Sequence, residues 1–112
     1  MVDPIQLAID TLGTILPTEN GHYAGTAPLY AVVSEIETYN DYTDDDPSME
    51  HTGVQVDVWQ RGKRPEQMAK KTRIALEERG FRRTRRGSDT EEVNGVTWRR
   101  VSTDYDYSQE VD

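Results

Sequence analysis

Five carboxylates lie within ten residues, Asp41, Asp44, Asp45, Asp46 and Glu50. Oxygen ligands at short spacing suit a hard cation such as calcium or magnesium. A calcium loop of the helix-loop-helix type needs alternating acids, a glycine in the middle and a closing glutamate. Here the aspartates are consecutive and end at Pro47, so the stretch is expected to be a solvated or partner-contacting acidic loop, with no metal. Arg82, Arg83, Arg85 and Arg86, with Arg99 and Arg100, make the dense basic cluster. Such a cluster can hold phosphates or pair with the carboxylates of a neighbouring subunit. The net charge of −8 repels a nucleic-acid duplex at long range, and acids flank the cluster on both sides, which favours the neighbouring subunit.

Chemistry beyond ion pairing has few candidates. His22 and His51 have no second ligand or nucleophile at a useful spacing and are expected in loops. Ser34, Ser48, Ser88, Ser102 and Ser108 sit in no nucleophile-elbow or Ser-x-x-Lys context. Asp57 lacks the paired acid and lysine of a nuclease site, and the absence of cysteine removes thiolate chemistry and disulfides. Trp59 and Trp98 could stack bases, but such residues more often anchor cores and interfaces. The expectation is a protein that is not an enzyme and carries no cofactor.

The arrangement of charge says more. All 13 Lys and Arg lie between Arg61 and Arg100, so residues 1–60 carry −11, residues 61–100 carry +7 and residues 101–112 carry −4. One protomer with opposite potentials on two surfaces favours head-to-tail contacts between copies, which close into a ring when the rotation per subunit divides the circle.

These residues must be positioned by a single domain spanning residues 1–112, the size of one core. Asp3-Pro4 is a helix start, and Ile5, Ala8, Ile9, Leu12, Ile15 and Leu16 recur on one face up to Pro17, predicting a helix over 4–16. Thr18 to Pro28 is a loop with a short extended piece near His22 to Ala24. Leu29 to Thr38 and Thr52 to Gln60 are strands, separated by a polar acidic insertion from Tyr39 to Glu50. In the second strand Val54, Val56 and Val58 alternate with Gln55, Asp57 and Trp59. A helix opens at Pro65-Glu66, carries Met68, Ala69, Thr72, Ala75, Leu76 and Arg79 inward, and ends at Gly80. Phe81 to Arg86 is a short strand, Gly87 to Gly95 a connection with the hairpin turn Asn94-Gly95, and Val96 to Tyr107 a long strand. The order predicts an α+β two-layer sandwich: a mainly antiparallel sheet of about four strands with two helices on one face.

A leading helix, a polar insertion, the strand Val54-Gln55-Val56-Asp57-Val58-Trp59, a charged Ala-containing helix ending in Phe81-Arg82-Arg83-Thr84, and the closing run Arg99-Arg100-Val101-Ser102-Thr103-Asp104-Tyr105-Asp106-Tyr107 follow one another along most of the chain. This order resembles the tail-completion and tail-terminator proteins of long-tailed bacteriophages and archaeal tailed viruses. The resemblance implies a virion protein made in the host cytoplasm that forms a ring, usually of six subunits, in the neck. Such a ring caps the tail tube, meets a head-completion or connector protein above, and lets DNA pass through its lumen. It implies no catalytic residue. The alternatives are a small adaptor that forms no ring and a nucleic-acid-binding module.

The N-terminus has no basic segment or long apolar run, and no stretch approaches the ~20 apolar residues of a membrane span, so no membrane partner is expected. Three Lys against ten Arg, 21 acids and 12 Thr suit a halophilic cytoplasm. In molar salt the Debye length falls to about 3 Å, which screens the self-repulsion of an acidic surface. The melting temperature should therefore rise between low and molar salt, and a flat or falling series in a thermal-denaturation scan would identify an ordinary acidic protein.

Overall fold

The computed structural model describes residues 1–43 and 46–111, and all their side chains except those of Tyr42, Thr43, Asp46, Pro47, Asp89 and Val93. Helix α1 is Pro4–Gly13, and strands β1, β2 and β3 are Thr18–Asn20, Leu29–Thr43 and Asp46–Arg61. Helix α2 is Glu66–Glu78, followed by β4, Arg82–Val93, and β5, Val96–Glu110. The five strands form one sheet in the order β1-β2-β3-β5-β4. Every pairing is antiparallel except β1 with β2, which is parallel.

The expected sheet of about four antiparallel strands in a two-layer sandwich is therefore corrected to a five-stranded mixed sheet. The added strand is Thr18-Glu19-Asn20, too short and too polar for an alternation signal. Ala31 N–H donates to Pro17 O at 2.9 Å and Gly21 N–H to Val33 O at 3.0 Å, so main-chain bonds hold it where side chains supply little. Two expected loops are also strand. The acidic insertion 39–50 continues β2 and β3 into a hairpin arm paired as far as Thr43 with Asp46. The connection expected from Gly87 runs as β4 to Val93, leaving Asn94-Gly95 as the turn, with φ of 51° and 78°. Both central residues lie in the left-handed region, as a two-residue hairpin turn of matching twist requires.

Local chemistry sets the helix ends. The Asp3 carboxylate accepts from the Ile5 and Gln6 N–H groups at 3.1 and 3.3 Å, and Pro4 occupies the first turn; a cap of this kind contributes about 1 kcal/mol. The helix ends at Gly13, before the expected Leu16. After α2, Gly80 has φ 96°, its N–H donates to Glu77 O at 3.1 Å, and Phe81 N–H donates to Leu76 O at 3.1 Å. That paired bonding turns the chain out of the helix and drops Phe81, 2% exposed, into the core.

One face of the sheet carries the core. Ala8 and Leu12 of α1, Leu16 just after it, and Leu76 from α2 cluster with Ala31 and Val33 of β2, Val54, Val56 and Val58 of β3, Tyr105 of β5, and Phe81. Thr72 is also buried, its hydroxyl donating to Ala69 O at 2.9 Å. Burial pushes the Tyr105 phenol up to about 12, with the Glu77 charge acting in the same direction, so this hydroxyl stays protonated. No helix covers the opposite face. There Tyr30, Trp59, Asp57, Gln55, Trp98, Arg100 and Ser102 are all half-buried. The molecule is elongated, 56 by 23 by 23 Å, because the arm projects past the helices.

Val56 and Gln55 test this division. Val56 is 1% exposed on the helix-covered face. Val56→Asp should cost on the order of 4 kcal/mol by burying an unpaired carboxylate, whereas Gln55→Lys should lose the Ser102 contact and remain folded. Urea titrations of the two variants check this, and equal destabilisation would mean that both faces are packed alike.

Candidate functional site

The arm gathers side chains that sequence reasoning kept apart. Residues opposite one another in register share a face, and neighbours along a strand alternate. Tyr39 and Asp41 on β2, His51 on β3, and Asp106 and Ser108 on β5 consequently meet on the uncovered face. His51 Nε2 lies 2.7 Å from Asp41 Oδ2, and its Nδ1 lies 2.7 Å from Ser108 Oγ and 3.6 Å from Asp106 Oδ2. Ser108 Oγ donates to Asp106 at 3.1 Å, and Arg82 reaches the same carboxylate at 3.5 Å. Tyr39 stacks on the imidazole with centroids 4.9 Å apart. His51, expected in a loop without partners, thus ties three strands together. His22 does lie outside the strands, and it is exposed.

Asp, His and Ser in hydrogen-bonded sequence are the residue types of a nucleophilic triad, but the proton inventory gives them another role. A general base needs a free lone pair facing the hydroxyl it deprotonates. Here the Ser108 proton goes to Asp106, so both ring nitrogens face acceptors, which suits an imidazolium donating twice. The hydrogen bond to Asp41 raises the His51 pKa above 6.5, desolvation opposes that, and the charges of Asp41 and Asp106 reinforce it. The group is a cross-strand clamp.

Of the five acids, only Asp41 and Glu50 have described side chains, and these two point to opposite faces of the sheet. Asp41 faces the uncovered side and Glu50 the other, while Asp44, Asp45 and the side chain of Asp46 lie outside the described residues. No group of three or more metal-ligating side chains occurs among the described residues. On the Glu50 side the Gln109 amide accepts from Val2 N–H and donates to Val2 O, both at 2.9 Å, so the N-terminal residues tie to that face of the arm.

The six arginines divide between the two faces. Arg83 and Arg86 belong to the helix side, where they line an open groove of about 340 Å³ between β4 and α2 with Lys70, Arg73 and Glu66. Arg86 pairs with Glu66, and Glu66 also meets Arg64 at 3.0 Å. Arg99 shares this side by alternation and is half-buried. On the uncovered side Arg85 stands opposite Asp104. Arg82, 77% exposed, contacts Asp106, and Arg100 lies 3.7 Å from Asp57 and 5.2 Å from the Trp59 ring centre. A cation over an indole face adds to that contact. The expected single patch is thus a basic edge with two sides, and Arg83 and Arg85 make no ion pair among the described residues.

Beyond Arg100 the uncovered face is closed by aromatics. Tyr23 stacks on Tyr30 at 4.2 Å, and Tyr30 lies 5.5 Å from Trp98 and 6.5 Å from Trp59. Ala27 N–H donates to the Tyr23 hydroxyl at 3.2 Å, which fixes the 21–28 loop over this end of the sheet. Trp59 and Trp98 are anchors of that patch.

No family model and no curated protein matches the chain. Solved structures do match; one of them is matched over 98% of this chain and 96% of its own, at 18% identity and a TM-score of 0.49, and at that distance it carries no argument. Among the described residues no helix is long and apolar enough to cross a membrane.

The clamp has a definite pH dependence. Because the folded-state pKa of His51 is raised, its contribution is full below the unfolded value near 6.5 and is lost as pH rises through the folded value. After correction for intrinsic exchange, arm amides such as those of residues 39–41 and 49–51 should open more readily above that pH. His51→Gln should remove the pH dependence. An unchanged opening equilibrium across the range in the parent protein would show that the imidazole does not hold the arm.

Proposed function

We propose that this protein is a structural subunit of a tailed-virus particle, a tail terminator or tail-completion protein. Its copies form a ring, six-membered in the resemblance, that caps the tail tube and joins it to the head through the neck. The observation that carries the reading is the placement of charge on an elongated sheet. Acids occupy the projecting arm, and arginines line the N-terminal half of the opposite edge strand. Copies placed head to tail bring the acidic arm of one beside the arginines of the next. The resemblance of the sequence order supports a neck location, with a tube protein below, a connector above, and DNA passing through the lumen.

The arm suits a joining role because none of the clustered core side chains beyond Val54 comes from it. An element that adds little to the core is retained at a cost in ordered backbone unless contacts made elsewhere offset it. Arg82, Arg86 and Arg100 already have carboxylate partners in the chain, which weakens the alternative of a phosphate-binding module. Thr38 and Thr52 stand directly opposite in register, so replacing residues 39–51 by Asn-Gly closes the hairpin at the edge of the body. That variant should keep a cooperative melt, yet separate heads and tails or overlong tails should accumulate in electron micrographs of infected cells. Normal yields of joined particles from it would overturn the assignment of the arm to the junction.

A further inference from the structure

At the end of the uncovered face away from the arm, a pocket of about 210 Å³ is lined by Tyr23, Tyr30, Trp59, Trp98 and Glu91, with residues 25–27 at one side. Tyr30 on β2 stands opposite Trp59 on β3, Trp59 opposite Arg100 on β5, and Trp98 opposite Glu91 on β4, so register places all of them on one face. Tyr23 comes from the 21–28 loop and stacks on Tyr30 at 4.2 Å, and the Tyr30 and Trp98 rings meet at 58° to form a corner. The loop is shaped to hold that wall. A Cβ on Gly25 would run into the Tyr23 ring and hydroxyl, and Ala27 N–H donates to the same hydroxyl at 3.2 Å. The aromatic corner is therefore set before any ligand arrives, which lowers the cost of binding.

Among the described residues Glu91 is the one charged side chain on these walls, and it makes no ion pair. Burial pushes the Tyr30 phenol up, and the charge of Glu91, then Tyr23, adds to the shift, so the carboxylate acts on the aromatic corner itself. Aromatic rings attract a cation over their electron-rich faces, and a carboxylate nearby adds to the attraction. The adjoining surface already seats one, with Arg100 5.2 Å from the Trp59 ring centre. A primary ammonium group carries three donors that each need an acceptor, and a largely aromatic wall with one carboxylate suits it poorly. A methylated ammonium has few donors or none. The volume lies below the roughly 300 Å³ at which sites for drug-sized ligands begin, which limits the occupant to a compact head group.

We propose that this pocket binds a small quaternary or methylated ammonium compound, the aromatic corner holding its cationic head and Glu91 balancing its charge. One copy of the chain forms the whole site, so it stands apart from the ring reading. Arg61 flanks Trp98 on the side away from Glu91 in register and is not a lining side chain.

Both tryptophans of the chain line the pocket, so intrinsic fluorescence and the two indole N–H resonances read it directly. Titration with choline chloride or tetramethylammonium chloride, with sodium chloride holding ionic strength constant, should give saturable changes in both signals. The neutral isostere of choline, in which a tert-butyl group replaces the trimethylammonium, should bind at least about fivefold more weakly. Glu91→Gln should weaken choline binding about threefold. Glu92→Gln makes the same change in net charge on the other face by alternation, and it should leave binding unchanged. Gly25→Ala should displace the Tyr23 ring and weaken choline while the protein keeps a cooperative melt. Arg61→Gln should not weaken it. Absence of saturation with either cation would overturn the site, and equal affinity for choline and its neutral isostere would show an apolar pocket without cation recognition. Equal losses in Glu91→Gln and Glu92→Gln would reduce the effect to the general acidity of the protein, which also overturns it.

Discussion

One-sided burial is the constraint on which the rest of the structure depends. With 34% hydrophobic residues the chain can cover one face of a sheet with helices. Val54, Val56 and Val58 of the central β3 form the seam against which both helices close. Each buried valine contributes roughly 1.5 to 3 kcal/mol relative to an exposed one, so this seam outweighs any single cap or ion pair. Because strand side chains alternate, fixing the valines inward fixes Gln55, Asp57 and Trp59 outward. The polar and aromatic chemistry of the uncovered face follows from the placement of three valines.

That second face is stabilised by other means. Asp57 beside Arg100 and Arg100 over Trp59 are short cross-strand contacts that stand where a helix layer would, and Tyr23 of the 21–28 loop adds a stack on Tyr30. Such pairs contribute about 0.2 to 1 kcal/mol each. They cannot substitute for a core, but they hold the face in a single register. The same logic extends into the arm, where aliphatic packing stops and His51 with Asp41, Asp106 and Ser108 ties β2, β3 and β5 together.

The sequence made the body legible where side chains alternate or recur. Asp3-Pro4 marked the first helix, Gly80 the end of the second, Asn94-Gly95 the hairpin turn, and the valine alternation the central strand. It concealed strands whose faces are both polar. Tyr39 to Thr43 and Gly87 to Val93 have no apolar alternation, because neither segment buries a face, and main-chain pairing alone makes them strands. Pro47 reinforced the loop reading, yet it is tolerated in β3 because the paired residues of β5 end at Met49, leaving one side of Pro47 without a ladder. The parallel β1 was hidden for the same reason as the arm. His51 was misplaced as a consequence, since its partners Asp41 and Ser108 become neighbours only once the arm is a sheet.

Charge segregation acquires a geometric meaning from this topology. Blocks that are separate in sequence, acids near 35–46 and arginines near 82–86, could have met in one hairpin and neutralised each other. Instead β3 and β5 stand between β2 and β4 and keep the blocks on opposite edges. The arginines that can find acids inside the chain do so on the faces, through Glu66, Asp57 and Asp106. Arg83 and Arg85 make no ion pair among the described residues, and on the β2 edge Glu35 accepts only from the Thr38 hydroxyl at 2.7 Å. Desolvating such groups is favourable only against the opposite charge, so the strand order that builds the core also selects what can dock on either edge.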